Sequence, residues 1–175
     1  MSKKEIQIET ERLLMRRLRE SDSEEFFKTV GNPEVMRYWR GTDKTPKDSL
    51  NRIRSMEEQW VRYGFGDFAV VEKRTDELIG FCGVHHIDFM PEVNLGYAFK
   101  KEKWHQGFGY ESGKAALTFG FEKAELDFIT AVIEKPNSAS RSLAQKLKLA
   151  FWKELSHEGR ELIAYGMSRN NFLGT

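Results

Sequence analysis

The segment that most limits what this chain can become is Leu95–Gly113. A strand-like run, Leu95-Gly96-Tyr97-Ala98-Phe99, gives way to Lys103-Trp104-His105-Gln106-Gly107-Phe108-Gly109-Tyr110-Glu111-Ser112-Gly113, and an Ala- and Gly-rich stretch follows to Lys123. This reads as a strand, a glycine turn and a helix in direct succession. Gly107 and Gly109 let the backbone approach a ligand with no Cβ in the way. The first turn of the helix offers unpaired N–H groups and the positive end of its dipole, a natural seat for phosphate. The spacing is not the dinucleotide fingerprint, because the glycine after Gly107-x-Gly109 comes one residue late, at Gly113. It is not a Walker loop either, since no Gly-Lys-Ser/Thr follows. By itself the segment also reads as a purely structural glycine turn.

The rest of the chain sets this unit in a mixed order. Thr10–Leu18 mixes apolar and basic residues and predicts a first strand. Ser21–Val30 opens with Ser21 and Glu24 in capping-box spacing and predicts a short helix. Asn32-Pro33 and Thr45-Pro46 each join a capping side chain to a first-turn proline. The second leads into a helix reaching about Tyr63, with Leu50, Ile53, Met56 and Trp60 on one buried face. Phe68–Val71, Leu78–Ile87 and Glu92–Lys100 read as strands, the first two joined by a turn at 74–77. After the Gly107–Lys123 helix come a β-branched strand, Phe128–Ile133, and a helix, Asn137–Leu149. Phe151–Leu155 and Glu161–Met167 then form a closing hairpin around His157-Glu158-Gly159. The pattern is mixed α/β, with neither regular βαβ alternation nor an all-β order.

Composition narrows the function classes. At 175 residues the chain fits one domain, 1–175, able to bury roughly 70% of its unfolded surface. Its 28 basic and 27 acidic side chains leave a net charge of +1, so no footprint for nucleic acid or an anionic membrane is expected. No stretch approaches the roughly 18 apolar residues of a membrane span. Met1–Leu14 has no apolar core of the secretion-signal type. The single cysteine, Cys82, can form no internal disulfide and reads as a buried strand cysteine in a reducing, cytoplasmic compartment. No metal site is expected from one cysteine and four histidines.

Three blocks taken together, ETERLLMRRL, LGYAFKKEKWHQGFGYES and NSASRSL, resemble the GNAT superfamily of acyl-CoA-dependent N-acetyltransferases. The closest likeness is to the branch that acetylates ribosomal-protein N-termini and, in relatives, polyamines and other small amines. The resemblance implies a mixed, largely antiparallel twisted sheet of about seven strands, flanked by helices and splayed between its fourth and fifth strands. It implies acetyl-CoA as cosubstrate, an amine acceptor, no metal, and admits a homodimer. The pantetheine arm would enter the splay and pair with the backbone of Ala98, Phe99 and Lys100, as a strand added by a ligand. The pyrophosphate would lie on the amides of His105, Gln106, Gly107, Phe108, Gly109 and Tyr110. Asn137 matches the asparagine that bonds the pantetheine arm, and Ser140 a serine near the cofactor sulfur. Three positions depart from the pattern. Trp104 replaces the usual Arg or Gln, as it commonly does in this branch; Asn94 stands where the branch often has Glu; Lys148-Leu149 replaces the Gly-Phe that ends the late helix.

Amine acetylation needs a neutral amine, and a free amino group is mostly protonated at pH 7. Glu92, two residues before Asn94 and on the same face by period two, is the first candidate base. It also reads as an exposed edge carboxylate. His85 and His86 face opposite ways, so one can enter the substrate cleft; Glu134 and Glu158 are further candidates. For the leaving thiolate, the tyrosine many relatives carry on the late helix is Ala144 here. Ser140 is then the nearest hydroxyl, with Tyr165 behind it. Trp39, Trp60, Phe65, Phe68 and Phe89 can line an acceptor site or fill the core. The charged segment with Arg37, Arg40, Asp43, Lys44, Lys47 and Asp48 selects no substrate.

The leading reading is therefore direct transfer of an acetyl group from acetyl-CoA to a primary amine, a protein N-terminus or a small amine, without an acetyl-enzyme. Asn94 and Ala144 motivate an alternative, a non-catalytic acyl-CoA-binding regulatory domain on the same fold. A nucleotide-binding α/β module is opposed by the glycine spacing.

Overall fold

The computed structural model describes residues 6–174. The part of the secretion-signal argument that rests on residues 1–5 lies outside them. Among the described residues eight strands build one sheet in the order β1-β2-β3-β4-β5-β6-β8-β7. The strands are β1 (Gln7–Glu9), β2 (Leu13–Arg17), β3 (Asp67–Glu72), β4 (Glu77–Ile87), β5 (Met90–Phe99), β6 (Phe128–Glu134), β7 (Ala150–His157) and β8 (Arg160–Ser168). The count exceeds the expected seven by β1, which pairs with β2 across the turn at 10–12. Every neighbouring pair is antiparallel except β5 and β6, which run parallel and share only Val93↔Ile129 and Asn94↔Thr130. The expected splay is thus between the strands that sequence analysis numbers four and five.

Period two sorts the side chains onto two faces. Phe68, Val70, Cys82, Val84, Val93, Leu95 and Phe99 pack under α3 (Phe108–Glu122) and α4 (Ser138–Lys146). Ala69, Val71, Phe81 and Ala98 pack with Phe26, Val30, Met36 and Ile53 on the side of α1 (Ser23–Val30) and α2 (Pro46–Tyr63). α2 begins where expected because Thr45 Oγ1 accepts the Asp48 N–H while Asp48 Oδ2 accepts the Thr45 N–H. The Ser21–Glu24 capping box does not form. Asp22 takes the role instead, accepting the Arg19 N–H at 2.8 Å and N–H bonds from both terminal guanidinium nitrogens of Arg16. Asn32-Pro33 starts a turn rather than a helix, with Asn32 Oδ1 accepting the N–H of Glu34. α4 ends without glycine, and Lys148 itself adopts the left-handed φ of 67° that the usual glycine would take. A short terminal helix, α5 (Arg169–Leu173), closes the chain.

The end of β5 is fixed by ions. Lys100, 2% exposed, reaches Glu25 of α1 and Glu77 of β4, and Lys103 reaches Glu77 at 2.8 Å and Glu72 at 2.7 Å. Hydrogen bonds from Lys103 to Glu72, and from Lys100 and Lys103 to Glu77, hold both carboxyls below the usual range. A lowered folded pKa gives stability that is fully present above the unfolded value and is lost as pH falls through the folded one. Urea unfolding midpoints should therefore drop below about pH 4, and Lys103→Ala should flatten that acid limb. An identical limb in the variant would show the network to be electrostatically idle.

Candidate active site

The glycine turn is held by Arg12, the residue just before β2. Arg12 pairs with Glu111 at 2.7 Å, donates to the Gln106 carbonyl at 2.9 Å, and lies 4.5 Å over the Phe108 ring. Just before α3 the backbone turns left-handed at His105, φ 60°, and again at Gly107, φ 83°. Gly107 is the N-cap and provides no side chain to satisfy the first-turn N–H groups. This end of α3 can seat a phosphate group by its amides and dipole. Within it, the Phe108 side chain is buried in the core, Tyr110 is exposed, and Gln106 folds back to donate to the Glu102 carbonyl. Gly109 has another reason to be glycine. A Cβ there would lie 2.9 Å from Leu143 of α4, as one on Gly113 would lie 2.8 Å from Leu147. Both glycines let α3 and α4 pack closely.

The exposed edge of β5 differs from the expectation. Lys100 donates its N–H to Ile79 of β4 at 2.9 Å, and Ala98, two residues earlier, stands opposite Phe81 of β4. Residues of an antiparallel ladder alternate in which neighbour they address. Ala98 and Lys100 are therefore turned to β4, and Lys100 spends its side chain in the ion network. The edge facing the splay belongs to Tyr97 and Phe99, whose carbonyl at Phe99 is capped by the Trp104 indole at 2.9 Å. The correction to Ala98 and Lys100 follows from the register, which sequence spacing does not carry.

The splay opens into a cleft of about 370 Å³. Asn94 stands at its root: its side-chain oxygen accepts the Val132 N–H at 2.8 Å, so it bridges the two diverging strands. The residue that departs from the family pattern thus satisfies a backbone donor that the splay would orphan. Trp39 and Arg40 line one wall, His85 and Gly96 the floor, and Glu134, Asn137 and Ser140 the opposite wall. Asn137 caps α4 by accepting the Ser140 N–H at 3.2 Å, which leaves its amide group free to donate. The Tyr97 hydroxyl approaches the Ser140 carbonyl at 3.5 Å, and burial pushes its pKa up to about 12. Sequence reasoning passed over Tyr97; its place beside the Asn-Ser block only emerges once β5 and α4 meet.

Other candidates separate. Glu92 is not among the residues lining the cleft. Met90 pairs with Ile87 and Val93 with His86, so Pro91 and Glu92 bulge out of register and the period-two argument fails at that point. Its Oε2 is buried without a hydrogen-bond partner among the described residues. Glu134 lines the cleft but is paired to Arg160, and Glu158 pairs with Arg40 at 3.2 Å. Tyr165 is in the core, as are Trp60, Phe65 and Phe68, while Trp39 and Phe89 do reach the cleft. Of the six charged residues around the start of α2, Arg40 alone lines it. Cys82 is fully buried on the α3 face, and burial pushes its thiol up to about 12. His86 packs on Tyr63 at 4.4 Å, and burial lowers its pKa. His85 instead meets Asp67 of β3, Nδ1 to Oδ1 at 2.9 Å. Among the described residues no group of three or more His, Cys, Asp or Glu could hold a metal ion, and no helix is long and apolar enough to cross a membrane.

Comparison with known proteins places this geometry. The family model described as acetyltransferase (GNAT) domain matches residues 12–150. The chain is 31% identical over 155 residues to YoaA of Bacillus subtilis, an uncharacterized N-acetyltransferase, covering 84% of this chain and 83% of that protein. It is 32% identical over 152 residues to the uncharacterized N-acetyltransferase p20 of Bacillus licheniformis, covering 83% and 82%. Among solved structures it is similar to an acetyltransferase (GNAT family) from Bacillus anthracis, with a TM-score of 0.80, 21% identity, and coverage of 94% of this chain and 99% of that one. It is also similar to a ribosomal-protein-S5-alanine acetyltransferase from Vibrio fischeri, with a TM-score of 0.78, 17% identity, and coverage of 95% and 98%. These structural likenesses establish the fold.

Proposed function

The chain belongs to the acetyltransferase (GNAT) family, and on that premise we propose that it moves an acetyl group from acetyl-CoA directly onto a primary amine, a protein N-terminus or a small amine. One observation carries this reading. The open edge of β5 at Tyr97 and Phe99 lies between a glycine-capped helix N-terminus and a cleft lined by Asn137 and Ser140. A cosubstrate with a pyrophosphate at one end, amides along its arm and a thioester at the other fits that succession. The α3 amides seat the pyrophosphate, with Gly107 giving the loop its left-handed turn. The arm runs along β5 as an added strand, and the Asn137 amide donates to it. An N–H on the same edge faces the thioester carbonyl and stabilises its oxyanion when the amine attacks.

The departing sulfur finds two hydroxyls, those of Ser140 and Tyr97. The raised pKa of Tyr97 keeps it protonated at neutral pH, so it can donate a hydrogen bond to a thiolate. These hydroxyls would take over the part of the late-helix tyrosine, whose position is Ala144 here. The compartment we propose is the cytoplasm, which suits a lone buried thiol.

The test is a thiol-release assay with acetyl-CoA over small amines and peptides with free N-termini. Cys82 is buried among apolar side chains, with its thiol held protonated. Cys82→Ala should keep at least half of the wild-type turnover, and radiolabelled acetyl-CoA should leave no covalently labelled protein. Labelling that disappears in Cys82→Ala would sink direct transfer. Tight acetyl-CoA binding without thiol release from any amine would favour the regulatory-domain alternative.

A further inference from the structure

The cleft is lined by an imidazole, His85, whose buried carboxylate partner Asp67 lies behind it, and the steps above leave this pair unused. Resting on the acetyl-transfer reading, we propose that His85, oriented by Asp67, takes the proton from the acceptor amine. The two residues are 18 apart in sequence but lie on neighbouring strands and on the same sheet face. Their side chains are 12% and 6% exposed. A carboxylate only accepts, so Nδ1 carries the hydrogen and Nε2 keeps its lone pair.

Three features hold this pair in place. The Asp67 carbonyl accepts the Trp60 indole N–H at 2.9 Å. A Cβ on Gly83 would lie 2.4 Å from the Asp67 Cα, so glycine lets β3 and β4 close up beside the pair. A Cβ on Gly96 would lie 2.5 Å from His85 Cε1, so the ring rests directly on β5, one residue before the Tyr97 edge proposed to carry the thioester. The ring and the scissile bond would then share one floor of the cleft.

The charges around His85 come from several elements. Burial works against charging the ring, but the Asp67 charge and hydrogen bond outweigh it, and the pKa is raised. On its own strand His86 is adjacent, itself under Arg62 of α2. Across the cleft, Arg40 is engaged by Glu158 and His157, and Glu134 by Arg160. Asp88 of the β4–β5 turn lines the rim. Asp67 is the carboxylate within hydrogen-bonding distance of the ring, so it governs the basicity of Nε2.

The protons balance as follows. Nε2 takes one proton from the ammonium and later releases it to solvent. The neutral nitrogen then forms the C–N bond at the thioester carbonyl, and the C–S bond breaks with its electron pair on sulfur. The second nitrogen proton ends on that sulfur, giving the acetamide and the free thiol.

Steady-state kinetics from pH 6 to 9 test the assignment, with folding checked by thermal unfolding and acetyl-CoA affinity by calorimetry. His85→Gln should lower kcat about 100-fold near pH 7 without changing acetyl-CoA affinity, and the deficit should shrink as pH nears the amine's own pKa. Asp67→Asn should move the acid limb of kcat/KM to lower pH, because the ring loses its carboxylate, and should move the His85 imidazole titration seen by NMR in the same direction. His86→Gln should retain the limb. A wild-type limb in His85→Gln, or an unmoved imidazole titration in Asp67→Asn, overturns the assignment alone. A folded wild-type protein that binds acetyl-CoA and acetylates no amine overturns the acetyl-transfer reading, and the assignment with it.

Discussion

Gly107→Val should weaken acetyl-CoA binding about 100-fold or more while leaving a folded protein. Gly107 adopts φ 83° as the residue that caps α3. A β-branched residue is a genuine outlier there, and even an ordinary side chain costs about 1–2 kcal/mol in that region. The variant relieves this by turning the loop, and the first N–H groups of α3 then leave their shared direction. Hydrogen bonds to charged groups contribute about 1.5–3 kcal/mol each, so two lost phosphate contacts account for the expected factor. The Cβ would also sit 3.3 Å from the Arg12 guanidinium, disturbing the residue that ties the loop to β2. Calorimetric titration with acetyl-CoA measures the loss, and a melting curve without ligand separates it from unfolding. Wild-type affinity in a folded variant would mean the pyrophosphate does not rest on this turn. Gly109→Val is the weaker probe, because its side chain would strike Leu143 and loosen the α3–α4 contact.

Phe81→Ala should cost about 3–5 kcal/mol of stability and should raise KM for the acceptor more than for acetyl-CoA. Phe81 is fully buried on the α1–α2 face and meets Phe26 and Trp39 edge-on, with ring centroids at 5.7 and 5.2 Å. Truncation removes the transfer term, leaves a cavity, and forfeits two aromatic contacts of about 0.5–1.5 kcal/mol each. The functional half of the effect runs through Trp39, which lines the acceptor wall and would lose the ring that fixes it. The α3 amides lie on the other face and should be spared. Urea denaturation gives the stability change, and separate KM values give the split. A loss below about 1 kcal/mol would show that the site collapses around the missing ring.

One functional assignment turned on a single bulge, and two others on contacts made across strands. Glu92 is a sound choice if β5 is regular, since it shares parity with Asn94. Pro91 donates no backbone hydrogen bond, and the ladder slips there by two residues, which removes Glu92 from the cleft lining. Asn94 reads as an absent catalytic carboxylate until its oxygen is found on the Val132 N–H. His85 reads as one of two structural histidines until β3 brings Asp67 to its Nδ1.

What the sequence determined by itself was local. The Thr45-Pro46 pair set the start of α2, short continuous apolar runs on either side of a turn set β3 and β4, and a glycine turn between a strand and an Ala-rich run set the entry to α3. Each rests on hydrogen bonds or periodicity within a few residues, so the signal is written in neighbouring letters. The family likeness extended this reading to the splay between β5 and β6. Tertiary structure alone decided which backbone groups of β5 face the splay, why Gly109 must be small, and which carboxylate meets which imidazole. Those outcomes depend on strand register, on bulges, and on contacts such as Asn94 to Val132 or Gly109 to Leu143. The energies that choose among them come from residues tens of positions apart, and no local pattern encodes a pairing whose partner is supplied by the rest of the chain.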